Sequence, residues 1–443
     1  MKIEMRSDSE MKDTEINWLG CIPKNWQIMR ITKCLDSYAD YRGKTPEKVD
    51  SGIFLVTARN IKNGKINYEL SQEFVKQDDY TEIMSRGLPV VGDVLFTTEA
   101  PLGETAQIDK TGVALAQRII KMRGKSGVLL NSFLKYQIIS EFFQDSVKRV
   151  ATGSTALGIK GSKLRQIRII VPAIEEQEKI VEYLDFTSVK LQKLIDYKLL
   201  QIELLHENEK SLIHQAVTKG LSCNVKMKDS GINWIGSIPK EWNITKIKQV
   251  ASVKGRIGWQ GLTTDEYVDS GPFLVTGTDF DNGNIIWNTC HHVAESRYCE
   301  DPYIQLREGD LLITKDGTIG KIALVKGLPG SATLNSGIFL VRSISTSLDL
   351  TYLFWVLNSN VFIDWINFIK SGSTINHLYQ EKFVDFKFPL PTLGEQQKIA
   401  ALLVAKTTKI KSTIIRIETE VENLEEYRKS LILEAITGKV KVS

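Results

Sequence analysis

The sequence contains no apolar run approaching the roughly 18 to 20 residues that a membrane-spanning helix needs. Its first residues, Met1 to Asp13, alternate charges and lack the apolar core of a secretory leader. A soluble, cytoplasmic protein with no membrane partner is the expectation. Cysteine is scarce: Cys21, Cys34, Cys223, Cys290 and Cys299 are odd in number and irregular in spacing, which excludes a disulfide framework and predicts free thiols. Neither charge sign dominates. Lys plus Arg number 57 and Asp plus Glu 53, a net charge of +4, so any footprint for a polyanion must be local.

Signatures of catalysis are missing as well. There is no Gly-x-Gly-x-x-Gly loop, and Gly124-Lys125-Ser126 lacks the earlier glycine of a phosphate-cradling loop because Ile occupies position 119. The nearest string to an adenine-methylating Asn/Asp-Pro-Pro-aromatic loop, Asp301-Pro302-Tyr303, has one proline and reads as a turn. None of the 11 prolines precedes Asp, which removes the Pro-Asp start of a common nuclease motif. Cys290, His291, His292 and Cys299 lack the paired spacing of zinc ligands, so no metal site is expected. His206 and His214, two of only five histidines, fall in a long helical stretch and read as surface or register-setting residues. No catalytic residue emerges. Glu175 and Glu176 sit at a helix start, where acids complement the dipole.

What is present is a chain of 443 residues, 42% of them hydrophobic, too long for one core and organised as a tandem repeat. Met11 to Trp26 aligns with Met227 to Trp242. Asp50-Ser51-Gly52 through Thr57 answers Asp269-Ser270-Gly271 through Thr276 at an offset of 219 residues. Gly92-Asp93, Gly153-Ser154-Thr155, Glu176-Gln177 and Ser211-Leu212-Ile213 recur as Gly309-Asp310, Gly372-Ser373-Thr374, Glu395-Gln396 and Ser430-Leu431-Ile432. The opening segments and tails of the copies agree closely, whereas the middles, 40–150 and 255–370, keep only anchor motifs. Two equivalent scaffolds therefore carry different surfaces.

Each middle mixes strand and turn signals. Ile53 to Val56, Val94 to Thr97, Leu311 to Thr314 and Gly337 to Val341 are short apolar runs bounded by turn formers. Ser132 to Val147 and Leu350 to Ile369 each read as one helix. The fold class is α+β. From Glu175 to Thr218 there is neither Pro nor Gly, and Ile180, Leu184, Leu191, Ile195, Leu199, Ile202, Ile213 and Ala216 form a stripe. Ile399, Leu403, Ile410, Ile414, Ile417, Val421, Leu424, Leu431 and Ala435 form another in the second tail. At about 1.5 Å per residue each tail is a rod of roughly 65 Å. Such rods either pack separately on their own domains or pair with each other, and matched length and stripe favour pairing. The implied boundaries are 1–173, 174–219, 220–391 and 392–443.

Taken together at one period, these marks resemble the specificity subunit of type I restriction-modification systems. They are Ile16-Asn17-Trp18-Leu19-Gly20 with Ile22-Pro23 and Trp26, repeated at Ile232 to Trp242; the two Gly-Ser-Thr motifs; and the exits Val171-Pro172 and Leu390-Pro391 before each long helix. The first middle, with Phe96 to Gly103 and Ala116-Gln117-Arg118, looks like one subclass of target recognition domain. The second, with Gly255 to Leu262 and Thr276 to Asp279, looks like another. The resemblance implies a non-catalytic reader of double-stranded DNA. Two target recognition domains would be held apart by an antiparallel helix pair in pseudo-twofold arrangement, each reading half of a bipartite asymmetric site. It implies as partners two methyltransferase subunits carrying S-adenosylmethionine, and motor-nuclease subunits using ATP and magnesium, with no cofactor on this chain. One feature favours the opposite helix sense: the repeat offset matches Glu209 with Arg428, charges that parallel helices would bring together. A solvent-exposed ion pair contributes only about 0 to 1 kcal/mol, too little to decide the topology.

Base edges are read by Arg, Lys, Asn, Gln, Asp or Glu, and phosphates by Lys, Arg, Ser, Thr and amides. Loop residues of those types in the first domain are Arg42, Lys44, Thr45, Arg59, Asn60, Lys62, Thr98, Glu99, Gln117 and Arg118. In the second they are Arg256, Trp259, Gln260, Thr278, Asp279, Lys315, Asp316, Asn335 and Ser336. Ser154, Thr155, Ser373 and Thr374 recur in both copies and fit a scaffold role better. Two other classes remain open at this point: a coiled-coil adaptor that does not bind DNA sequence-specifically, and a self-contained nuclease or methyltransferase.

Overall fold

The computed structural model describes residues 3–16, 18–43, 45–153, 157–222, 224–256, 262–370 and 377–442. Asn17, Lys44, Ser154, Thr155, Cys223, Trp259, Gln260, Ser373 and Thr374 lie outside the described residues. Two compact units are formed, one of residues 1–199 with 418–443 and one of residues 200–417. Each unit thus takes half of either long helix.

In the first unit a four-stranded antiparallel sheet runs in the order Leu102–Gln107, Val94–Thr98, Ile119–Gly124, Leu35–Asp40. A three-stranded sheet orders Val113–Leu115, Ile53–Val56 and Phe74–Val75, the first two parallel. The second unit repeats this plan strand for strand. Its larger sheet orders Ala251–Gly255, Ile338–Ser343, Leu311–Thr314, Ile322–Leu324, and its smaller one His291–Val293, Tyr267–Val275, Ala332–Leu334. Both units also have a short hairpin whose Asn-Gly turn places both residues at positive φ, Asn63-Gly64 and Asn282-Gly283. Gly52 and Gly271 are required for a different reason. At φ +147° and +138°, a Cβ there would lie 2.3 Å from the Val75 carbonyl oxygen and 2.5 Å from that of Val293.

Where the sequence reads one helix, over 132–147 and over 350–369, the structure has a pair: Asn131–Ile139 with Glu141–Val150, and Leu350–Leu357 with Asn360–Lys370. The breaks fall at Ser140 and Ser359, whose hydroxyls donate to carbonyls three residues back, Gln137 and Val356, both at 2.6 Å. Such side-chain bonds compete with the helical ladder and end it.

The long helices span Ile174–Lys219 and Leu393–Ile436. Each stops at a left-handed glycine, Gly220 (φ +75°) or Gly438 (φ +70°), the residue best suited to a helix C-terminus. Within the first unit they pair antiparallel. Arg428 donates to Gln192 at 2.9 Å and Lys198 meets Glu420 at 2.6 Å, so advancing on one helix retreats on the other. Arg428 therefore binds Gln192, and the parallel match with Glu209 is not formed. The stripe also needs one amendment: Leu199 is half exposed, because Lys198 occupies the seam one turn after Ile195. Ile180, Leu184 and Leu191 pack with Leu431, Ile432 and Ala435 in the core of the first unit; Ile213, Ala216 and Val217 pack with Ile399 and Leu403 in that of the second.

Buried polar groups recur with the fold. Gln177 accepts from the Leu130 amide at 2.9 Å and donates to the Val128 and Pro172 carbonyls; Gln396 does the same with Asp349, Ser347 and Pro391. Trp26 donates to Glu176 at 2.7 Å and Trp242 to Glu395 at 3.0 Å. Among the described residues, no helix is long and apolar enough to cross a membrane.

Candidate nucleic-acid interface

Strand pairing gathers the distant loops of each unit onto one rim. In the first unit Thr97 pairs with Ile119 and Ile120 with Asp40, so the loops at 99–101, 116–118 and 41–43 emerge together. The Ala116 amide donates to the Val56 carbonyl, which brings the turn at Thr57 to the same edge. Arg42 reaches back to Asp40 through Nε and Nη2 and donates to the Ile159 carbonyl at 3.2 Å. Arg118 Nε meets Glu99 at 2.9 Å, both side chains about half exposed. Arg42, Glu99, Gln117 and Arg118 are thus brought together, and Arg59 and Thr45 are exposed. Lys62 is exposed on a different feature, the hairpin packed against strand Leu102–Gln107.

Two residues of the first set are internal. Asn60 is fully buried. Its Oδ1 accepts from the Thr57 amide and hydroxyl, both at 2.8 Å, and its Nδ2 donates to the Asn67 and Ser71 carbonyls. Thr98 is buried with its hydroxyl on the Arg118 carbonyl at 3.2 Å. These two hold the rim's backbone in shape and offer no free polar group to a ligand.

The second unit builds its rim the same way. The Lys315 amide donates to Gly337, Asn335 to Val275 and Leu378 to Lys315, which assembles Lys315, Asp316, Asn335, Ser336 and exposed Thr278. Asp279 is buried like Asn60: its carboxylate accepts from the Thr276 amide at 2.7 Å and from the Thr289 hydroxyl at 2.9 Å. Arg256 is buried too, at the position that Tyr41 fills in the first unit, and donates to the Leu334 carbonyl at 3.1 Å and the Thr333 hydroxyl at 3.2 Å. Burial, and after it the neighbouring Arg297, lower its pKa. Sequence inspection missed one rim residue, His377, which hydrogen-bonds through Nδ1 to Asp316. The signal was available in the repeat, where His377 stands at the place of Gly158.

The cysteine and histidine cluster disperses. Burial, then the charge of Asp279, pushes the Cys290 thiol up to about 12. His291 stacks on Tyr267, and His292 Nδ1 lies 2.7 Å from the Gly271 carbonyl. Among the described residues no group of three or more His, Cys, Asp or Glu is placed to hold a metal ion.

A repeated scaffold with two dissimilar polar rims defines a two-domain recognition protein. The family profile described as "Type I restriction modification DNA specificity domain" matches this chain twice, over residues 23–203 and 239–423. The chain belongs to that family. It is 24% identical over 435 residues to the type I restriction enzyme MjaVIII specificity subunit of Methanocaldococcus jannaschii, covering 95% of this chain and 94% of that one. Identity is also 24% to the putative MjaX specificity subunit of the same organism, over 99% of both. Among solved structures, a chain from a study of complex assembly and conformational transition of the type I R-M system shares the fold with TM-score 0.73 at 17% identity, covering 94% of this chain and 99% of that chain. The HsdS subunit of Thermoanaerobacter tengcongensis gives 0.56 at 16% identity, over 94% and 98%.

Proposed function

We propose that this chain is the sequence-reading, non-catalytic subunit of a cytoplasmic type I restriction-modification assembly, each unit reading one half of a bipartite, asymmetric DNA site. The observation that carries this reading is the pairing of one repeated scaffold with two unlike rims. Arg42, Thr45, Arg59, Lys62, Glu99, Gln117 and Arg118 are the reading residues proposed for the first unit, with Lys44 beside them in sequence. Thr278, Lys315, Asp316, Asn335 and Ser336 are those of the second, with Trp259 and Gln260. Asn60, Thr98 and Asp279 are assigned to the scaffold because their polar groups are already engaged, and Arg256 because it is 2% exposed and its Nε and Nη2 are bound to strand Ala332–Leu334, although its Nη1 has no partner among the described residues. Two methyltransferase subunits per chain bring S-adenosylmethionine and adenine chemistry, and motor-nuclease subunits bring ATP and magnesium.

The test is to exchange residues 27–150 for those of another specificity subunit and to map methylation across a genome with the partner methyltransferase present. One half of the methylated site should change and the other should stay. A change in both halves, or methylation by the purified chain alone, overturns the reading.

A further inference from the structure

The two rims share an acidic residue whose basic partner comes from opposite flanks. Glu99 and Asp316 each follow an equivalent strand, Val94–Thr98 or Leu311–Thr314. Each makes an isolated antiparallel bridge on one side, Glu99 to Gly158 and Asp316 to His377. On the other side, the backbone carbonyl that receives the Thr98 amide belongs to Arg118, and the one that receives the Lys315 amide belongs to Gly337. In the first unit the acid therefore lies between Arg118 and Gly158, and in the second between Gly337 and His377. Arg118 supplies the base in one case and His377 in the other; the opposite flank is glycine in both.

A side chain at either glycine would meet the acid at ordinary contact distance. A Cβ on Gly158 would lie 3.4 Å from that of Glu99, and one on Gly337 3.7 Å from that of Asp316. Neither glycine has the positive φ that would itself demand glycine. All four side chains of the two pairs are between 36% and 49% exposed, on the rim rather than beneath it.

We propose that this acid–base pair is a specificity-determining dyad in each unit, and that His377, held by Asp316, makes a base contact in the half-site of the second unit. The inference rests on the DNA-reading function proposed above. A carboxylate that already orients its base removes rotamer freedom which would otherwise be lost on binding. Arg118, held through Nε, keeps its terminal nitrogens for a bidentate acceptor such as the guanine O6/N7 edge. His377, held through Nδ1, keeps Nε2, which has no partner among the described residues. One unit thus presents a two-pronged donor and the other a single nitrogen, so the same framework position distinguishes different base edges.

The experiment uses the full chain with its partner methyltransferase and compares wild type, His377→Ala and Asp316→Asn by genome-wide methylation mapping. Losing one good base contact relaxes discrimination by about tenfold. Both variants should therefore accept additional bases at one or two positions of one half-site, with the other half unchanged. A third variant, Gly337→Arg with His377→Gly, rebuilds the pair from the opposite flank and should methylate a site altered at those same positions. An unchanged motif in His377→Ala, relaxation of both halves, or the original motif in the third variant overturns the inference. If the wild-type assembly methylates no bipartite site at all, the DNA-reading function itself fails; if it does and the variants match it, only the dyad fails.

Discussion

Replacing Asp93 by Asn should destabilise the first unit more than the matching Asp310→Asn destabilises the second. Asp93 accepts from Arg123 at 2.6 and 2.9 Å and from the Val90 amide at 3.0 Å. Asp310 accepts from Arg342 at 2.7 and 2.5 Å and from the Arg307 amide at 2.7 Å. The units differ in a third cation. Lys121, 1% exposed, sits 3.3 Å from Asp93, and its place in the second unit is taken by Leu340. Removing the anion leaves the Lys121 ammonium buried and unbalanced, a loss of about 3 to 5 kcal/mol. For Asp310→Asn the loss is that of hydrogen bonds to a partly solvated guanidinium, about 1.5 to 3 kcal/mol. Hydrogen exchange on the intact chain separates the two, because each unit serves as the control for the other. Amides in Ile119–Gly124 should exchange about two to three and a half powers of ten faster in Asp93→Asn, at about 1.4 kcal/mol per decade. Adding Lys121→Leu should restore a large part of that protection. Asp93→Asn no worse than Asp310→Asn, or a double variant no better than the single, refutes the reasoning. The pH dependence has a definite sign. Burial raises the Asp93 carboxyl, but Arg123, the Val90 amide and Lys121 outweigh it and hold the pKa below the ordinary value. A depressed pKa contributes stability above about pH 4, lost as pH falls toward the folded value, and Asp93→Asn should lack that acid-induced loss.

Gly52→Ala and Gly271→Ala place a methyl against a carbonyl oxygen at positive φ, so each should cost several kcal/mol and show as loss of soluble protein or early melting of its own unit. Lys198→Ala, by contrast, removes a partly exposed ion pair on the helix seam; the loss should be at most about 1 kcal/mol and vanish at high salt in a denaturant titration.

The long helices were legible because nothing in them opposes helix formation over more than forty residues, and because a glycine follows each. Their internal register was less legible. Leu199 and Lys198 are both compatible with a three-and-four spacing from Ile195, and only the position of Glu420 on the facing helix selects Lys198. The serine breaks were hidden for a similar reason, since Ser140 and Ser359 act through local hydrogen bonds that leave hydrophobic periodicity intact. In the site, Thr57-x-x-Asn60 and Thr276-x-x-Asp279 carry a capping pattern that was open to inspection, yet polar residues in a loop read equally well as contacts. Arg256 was opaque because its fate depends on strand alternation beside a tyrosine position of the other copy. The rims themselves required the structure, for they are assembled from loops that strand order, rather than sequence distance, brings together.

The repeat offers a physical criterion for dividing scaffold from reading surface. A polar group taken out of water must keep its hydrogen bonds, so changing it costs the desolvation of whatever it served. Gln177 and Gln396, Trp26 and Trp242, and Asp93 and Asp310 meet that condition with matched partners, and all six are the same residue in both copies. Rim side chains are bound by no such condition, since water satisfies them when a partner is lost and surface substitutions usually cost less than about 0.5 kcal/mol. The exchange of Arg118 and Gly158 for Gly337 and His377 is the outcome this predicts: backbone bridges and the acid are kept, while the base moves freely between flanks. A rim so constrained in backbone and so free in side chain can change what it reads without renegotiating how it folds.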